Sequence, residues 1–325
     1  MSDALRIGVL GCADIAVRRM LPAMAAHPDV VVTAVASRDR AKAEKSAAPY
    51  GAAAVEGYGE LLGREDVDAV YAPVPAALHA EWTGAALRAG KHVLAEKPLT
   101  LDPDETRRLL ELAGNAGLGL MENVMFVHHG LHRTVRDLMA DGAIGELRSF
   151  QAVFGIPRLP DNDIRHDPEL GGGALWDVGV YPLRAALYFL GDELEVLGAH
   201  LHRGAGRLVE TAGTALLRTP GGVGVQVAFG MDHAYRASYE LWGSEGRMVV
   251  DRAYTPPADF TPIIRLERRS RTEEIRLAPE DQVAATVAAF VASVRSGAGP
   301  AYDRAAPLRQ AELLDAVRRV GTRPA

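Results

Sequence analysis

Two side chains of this 325-residue chain have the chemistry to move a proton together. Lys97 stands in Ala95-Glu96-Lys97-Pro98, and Tyr181 in the run Gly171-Gly172-Gly173-Ala174-Leu175-Trp176-Asp177-Val178-Gly179-Val180-Tyr181-Pro182. A phenol is a weak acid near neutrality, with an ordinary pKa of about 10, but a nearby ammonium stabilises the phenolate and brings it toward a useful range. Reduction of a ketone by a nicotinamide needs such a donor for the developing alkoxide. Asp177 precedes Tyr181 by one helical turn, so both project from one face. Its carboxylate could orient Lys97 or the substrate, or tune the phenol. The competing reading makes Tyr181 and Trp176 core aromatics and Asp177 a solvated helix residue.

A cofactor cradle opens the chain. Leu5 to Leu10 read as a buried parallel strand, and Gly11-Cys12-Ala13-Asp14-Ile15-Ala16 gives Gly-x-Ala-x-x-Ala, a dinucleotide fingerprint whose second glycine is replaced by Ala13. Ile15 to Ala26 read as a helix with Met20, Leu21 and Met24 on one face, and Val30 to Ala36 as the second strand. That strand-helix-strand unit is the size a mononucleotide-binding half requires. At the end of the second strand, where NAD enzymes place an acid for the ribose hydroxyls, this chain has Ser37-Arg38. A guanidinium matches a 2′-phosphate in charge and fork geometry, which favours NADP(H), with Lys42 one turn on. Alternatively Arg38 and Lys42 are solvated loop charges and Asp39 reaches a ribose hydroxyl.

Alternation continues with a helix over Ala41 to Tyr50, a strand over Val67 to Ala72 ending in Pro73-Val74-Pro75, and a helix from Leu78 to Ala89. Lys91 to Ala95 form the next strand, which puts Glu96-Lys97-Pro98 just beyond a carboxyl end, where open parallel sheets bind ligands. Asp102-Pro103-Asp104-Glu105 starts a helix to Ala116, and Gly119 to Asn123 give one more strand. From Gly145 the pattern becomes period-two runs with glycine punctuation: Leu147 to Phe154, Val196 to His202, Val209 to Arg218, Gly224 to Phe229, Ala237 to Trp242, Arg247 to Val250 and Ile263 to Glu267. These predict a mostly antiparallel sheet, interrupted by the helix Ala174 to Leu190 and closed by helices over Gln282 to Arg295 and Pro307 to Val320. The expected fold is α/β: a Rossmann domain over residues 1–123, then an α+β domain with an open-faced sheet over residues 124–325. The free sheet face suggests a homo-oligomer.

Composition narrows the function classes. Net charge is −6, and no lysine-arginine run forms the basic face of a nucleic-acid binder. No apolar run reaches membrane-spanning length, and no leader pattern precedes the first strand, so a cytoplasmic protein is expected. Cys12 is the single cysteine, which excludes an intrachain disulfide and a cysteine metal cage. His128, His129 and His132 have helical ligand spacing, but no carboxylate stands beside them in sequence; they read as a helix start at the domain junction, and no metal is expected. Lys42, Lys45, Lys91 and Lys97 are the only lysines, so Lys97 is an ammonium in a chain that otherwise uses arginine. The polar stretch Asp161 to Asp167 is either a substrate lid or a solvated loop.

The glycine turn, the Glu96-Lys97-Pro98 motif and the Gly-Gly-Gly-Ala-Leu-x-Asp-x-Gly-x-Tyr run resemble the Gfo/Idh/MocA oxidoreductase family over essentially the whole chain. Met121-Glu122-Asn123-Val124-Met125-Phe126-Val127-His128-His129 and Asp167-Pro168-Glu169-Leu170 are similar to the family's C-3 ketoreductases of nucleotide-linked deoxysugars. The resemblance implies reduction of a 3-keto group on a dTDP-linked keto-deoxyhexose by NADPH, with Tyr181 as proton donor, Lys97 as its electrostatic partner and Asp177 beside them. It implies a cofactor site made of Gly11, Cys12, Ala13, Asp14, Ile15, Ser37, Arg38, Lys42, Pro73, His79, Glu96, Lys97 and Asn123, and a dimer or tetramer formed through the open sheet. An NADP-dependent dehydrogenase of a free sugar or dihydrodiol uses the same residues in reverse, and a cofactor-binding regulator would keep the fold without turnover.

Overall fold

The computed structural model describes residues 4–269, 271–296 and 305–322, and the chain divides into two compact units. Met1–Asn123 and Val283–Pro307 make the first; Val124–Gln282 and Leu308–Ala325 make the second.

In the first unit, strands β1 (Leu5–Leu10), β2 (Val30–Ser37), β3 (Ala53–Glu56), β4 (Ala69–Ala72), β5 (His92–Glu96) and β6 (Leu120–Asn123) form one parallel sheet in the order β3-β2-β1-β4-β5-β6. Its helices are α1 (Leu21–Ala26), α2 (Arg40–Ala47), α3 (Tyr58–Leu62), α4 (His79–Arg88) and α5 (Pro103–Asn115). Helix crossovers cover both faces of such a sheet, which is why β1 and β4 are near-continuous apolar runs: Ile7, Val9, Leu10, Val70, Tyr71 and Ala72 have no exposed surface. Strand order reverses between β1 and β4, so the turns that follow them flank the crevice where doubly wound sheets bind dinucleotides.

The second unit begins with α6 (Gly130–Ala140) and is built on strands β7 (Leu147–Gly155), β8 (Glu195–His202), β9 (Ala212–Arg218), β10 (Gly224–Gly230), β11 (Arg236–Gly243), β12 (Gly246–Asp251), β13 (Ile263–Arg268) and β14 (Arg271–Arg276). They form one sheet in the order β14-β13-β12-β11-β7-β10-β9-β8, antiparallel except for the parallel pair β7 and β10. Period-two alternation sends Phe150, Ala152 and Phe154 of β7 into the core with Leu183 of α7 (Val180–Leu190). Leu314 and Val317 of the last helix, α9 (Ala306–Gly321), join the same cluster. The opposite face carries Gln151, Leu216 and Trp242, the last 56% exposed.

Several expectations are corrected. Helix α8 (Gln282–Arg295) was expected in the second domain, yet from Val283 onward it groups with the first unit. Arg295 pairs with Asp29 at 2.9 Å, and the Val294 side chain packs beside Gly119. Its apolar face marks it as buried without saying against which sheet. Strand β3 and helix α3 were not expected, because their short runs carry too few apolar positions to show a period. Strand β14 has Ile275 as its one apolar residue. Val209 to Thr211 leave the expected strand because Glu210 turns toward a helix end. Both helices that follow glycine motifs begin with wide π turns, Ala16–Met20 and Leu175–Gly179. Among the described residues no helix is long and apolar enough to cross a membrane.

Candidate active site

Gly11 leaves β1 with φ +122°, a conformation closed to side chains, and its amide donates to the Ala36 carbonyl at 2.9 Å. A Cβ there would lie 3.4 Å from the Tyr58 hydroxyl and 3.6 Å from the Pro73 carbonyl, so the turn presents bare backbone between those two groups. Cys12 continues it, its thiol 3.6 Å from the Lys42 carbonyl. Ala13 accepts from the Val17 amide at 3.1 Å inside the helix that Asp14 and Ile15 begin, and the first amides of a helix have no intrahelical acceptor, which suits an anion.

At the end of β2, the Ser37 hydroxyl accepts from the Asp39 amide at 3.1 Å. The Asp39 carboxylate in turn caps α2, accepting from the amides of Ala41 at 2.9 Å and Lys42 at 3.3 Å. The acid is thereby occupied as a helix cap. Arg38 stays exposed, close enough to Tyr58 for its charge to pull the phenol down, although burial wins and raises it. Gly11, Cys12, Arg38, Lys42 and Tyr58 therefore share one rim. The Tyr58 ring is fixed edge-on against Trp82 at 5.0 Å. A basic rim beside an uncluttered glycine turn fits the adenosine and 2′-phosphate of NADP(H).

Beyond β5, one Glu96 oxygen accepts from the Tyr71 hydroxyl at 2.7 Å and from Asn123 Nδ2 at 2.6 Å, and the other accepts from the Lys97 amide at 3.3 Å. Glu96 thus fixes the backbone that carries Lys97. The Asn123 amide oxygen is buried without a hydrogen-bond donor, a cost that an incoming amide or hydroxyl would relieve. His79 is buried, with Nδ1 2.6 Å from the Pro98 carbonyl and Nε2 2.8 Å from the Val74 carbonyl. Burial lowers its pKa against the pull of both carbonyls and of Glu96. The ring braces the turns after β4 and β5 against each other, and its nitrogens are turned to the protein interior.

In the second unit the three glycines answer three separate demands. Gly171 has φ +78°; a Cβ on Gly172 would strike the Arg165 and Asp167 carbonyls at 2.6 and 2.7 Å; Gly173 has φ +128° and lies under the Glu210 carboxylate. Glu210 closes the helix start, accepting from the Leu175 amide at 3.1 Å, while burial raises its carboxyl. The Gly172 and Gly173 amides donate to Asp167 and Arg165, so the polar stretch is docked on the glycine run. Arg165 Nε donates to Asp177 at 2.8 Å and Nη1 to Asp163 at 3.2 Å, and both carboxylates raise the guanidinium further. Tyr181 is half-buried in an aromatic nest, 4.8 Å from Phe154, 5.8 Å from Tyr254 and 6.2 Å from Phe126 between ring centroids.

The histidines serve packing: His129 caps α6 by accepting from the Leu131 amide at 3.0 Å, and His132 Nδ1 lies 3.0 Å from the Tyr239 hydroxyl. The site residues are divided between the units, Lys97 and the dinucleotide rim in the first, Tyr181 and Asp177 in the second. Sequence reasoning missed Tyr58, Tyr71 and Glu210. Arg165 was visible only as part of a polar stretch, with nothing in the sequence to pair it with Asp177.

Residues 5–124 match the family described as "Oxidoreductase family, NAD-binding Rossmann fold", and residues 132–249 match the "GFO/IDH/MocA C-terminal domain". The chain is 56% identical over 324 residues to dTDP-3,4-didehydro-2,6-dideoxy-alpha-D-glucose 3-reductase of Streptomyces violaceoruber, covering 97% of this chain and 95% of that one. It is 53% identical over 323 residues to the Saccharopolyspora spinosa protein of the same name, covering 98% and 97%. A 3-ketoreductase from Actinomadura kijaniata, solved in complex with NADP and TDP-benzene, superposes with a TM-score of 0.95 at 52% identity over 98% of each chain. Structures of that protein with one lysine or one tyrosine replaced are also known. Both halves of the pattern are matched and the identity runs the whole length: the chain belongs to the Gfo/Idh/MocA oxidoreductase family.

Proposed function

We propose that this chain reduces the C-3 ketone of a dTDP-linked keto-deoxyhexose with NADPH. The observation that carries the reading is its full-length identity to 3-reductases of such sugars. The lysine and tyrosine replaced in the Actinomadura protein are separated by the same number of residues as Lys97 and Tyr181 here, which supports those two as the reacting pair.

NADPH, when bound, supplies the hydride. Gly11, Cys12, Ala13, Asp14 and Ile15 offer backbone to its phosphates, and Ser37, Arg38 and Lys42 the polar and cationic rim for the 2′-phosphate. Pro73, Glu96 and Asn123 form the turns and the polar network toward the nicotinamide end, with His79 bracing them from behind. Tyr181 gives its proton to the alkoxide as the carbonyl is reduced, and the Lys97 ammonium makes the resulting phenolate tolerable. Asp177, held by Arg165, keeps its carboxylate on the turn that precedes the phenol. Asp39 is occupied as a helix cap, which favours NADPH over NADH.

The test is NADPH consumption, followed by absorbance, with a dTDP-3-keto-deoxyhexose generated in place and a free-sugar control. Consumption with the nucleotide sugar alone is expected. Silence there, with NADP reduced by free sugars or diols, would transfer the reading to a dehydrogenase. We also infer a homo-oligomer, a dimer or tetramer, through the open sheet face bearing Leu216 and Trp242; a single monomeric species in sedimentation would remove it.

A further inference from the structure

We propose that Arg252 is the diphosphate-binding residue of the second unit, with Tyr235 and Phe260 as the rings that hold its guanidinium in place; this rests on the nucleotide-sugar reading above. Arg252 follows β12 with φ +50°, a left-handed conformation that a β-carbon disfavours. Such residues persist where the surroundings over-determine them, and they concentrate at ligand sites.

What this backbone presents is a cation above two rings. The Arg252 Cζ lies 5.5 Å from the centroid of Tyr235 and 5.8 Å from that of Phe260. The Tyr235 hydroxyl is 3.3 Å from Thr255 Oγ1, which fixes the ring beneath it. A guanidinium held over rings by cation–π attraction keeps its N–H donors, the groups that take phosphate oxygens in pairs.

The charge is also uncompensated. Asp251, the adjacent carboxylate, is bound by Arg265, and among the described residues no carboxylate pairs with the exposed Arg252. On the same sheet Arg218 is paired with Glu195 and Arg276 with Glu274, whereas exposed Arg236 and Arg271, like Arg252, have no carboxylate partner among the described residues; what sets Arg252 apart is the pair of rings beside its guanidinium. Position completes the argument. Tyr235 meets Phe154 edge-on at 6.4 Å, and Phe154 meets Tyr181 at 4.8 Å. The cation is thereby linked to the phenol through one chain of ring contacts, Tyr235 and Phe154.

The test is calorimetric titration of the full chain with dTDP, with NADPH titrated as a control on the fold. Arg252→Gln is expected to weaken dTDP at least about tenfold, the scale of one charge-assisted contact, while NADPH is unchanged. Arg252→Lys should recover part of the loss, and Tyr235→Leu should weaken dTDP because the guanidinium loses its platform. Unchanged dTDP binding in Arg252→Gln overturns the inference and leaves the nucleotide-sugar reading standing; a wild-type chain that takes no dTDP overturns both. If Arg252→Gln loses NADPH as well, it has misfolded. The decision then passes to Tyr235→Leu, where dTDP binding at the wild-type level overturns the inference.

Discussion

Arg165 donates from the polar loop to Asp177, 2.8 Å away, at the turn of helix that precedes Tyr181. The pair connects a segment built of two short 3-10 turns, Ile164–His166 and Pro168–Leu170, to the helix that carries the residue proposed to give the proton. The ambiguity of Asp161 to Asp167 is thereby narrowed, since the stretch is anchored through Arg165, Asp167 and the glycine amides.

Arg165→Gln should lower turnover by about tenfold through loss of orientation at Asp177. The thermal midpoint should fall by only a few degrees, because a partly exposed pair contributes about 1 kcal/mol or less. Arg165→Lys should restore part of the rate, since an ammonium cannot fork to Asp163 and Asp177 together. Parallel loss of rate and stability in a melting and kinetic comparison would reduce the pair to a structural one.

Tyr181→Phe keeps the ring among Phe126, Phe154 and Tyr254 and deletes only the hydroxyl. Turnover is expected to fall by at least about a hundredfold, with the NADPH dissociation constant little changed. Near-normal steady-state rates would remove the proton-donor role.

Cofactor choice separates two adjacent residues. Arg38→Ala should weaken NADPH far more than NADH. Asp39→Ala should leave the ratio unchanged and cost about 1 kcal/mol of stability through the lost cap of α2. Equal weakening of both cofactors by Arg38→Ala, measured by fluorescence titration, would take Arg38 out of the 2′-phosphate site.

Acid stability should report the buried imidazoles of the second unit. Burial holds His132 down at about 3 and His128 at about 4, below their ordinary 6.5. Both depressed groups contribute stability that is fully present above pH 6.5 and lost as pH falls toward those values, because the unfolded chain then binds protons the folded one refuses. His132→Leu removes one such group. At neutral pH it should cost about 1–3 kcal/mol, since the Tyr239 hydroxyl loses its partner. Its melting temperature should nevertheless fall less steeply than wild type between pH 6.5 and about 3. Equal slopes would mean that the fold does not hold the His132 pKa below its unfolded value.

Much of the first unit was legible, because buried parallel strands are apolar runs and helix starts carry caps. Leu5–Leu10 emerged with its observed bounds, and Asp102 caps α5 as Asp102-Pro103-Asp104-Glu105 suggested. The motif residues were legible as residue types at strand ends. Their partners were not: Tyr71 reaches Glu96 across neighbouring strands, and Glu210 reaches Leu175 through a loop, contacts between positions far apart in the chain that no local pattern encodes. The glycine run read as one motif, although its three members meet three different constraints.

The return of α8 to the first unit bears on how such enzymes can be recombined. A chimera with a single junction after Asn123 would inherit a dinucleotide half without Arg295 for Asp29 and without Val294 over Gly119. Exchange of cofactor preference between relatives therefore requires two junctions, one on each side of the returning helix. Grafting at the level of the Arg38 rim should succeed where wholesale exchange of halves does not.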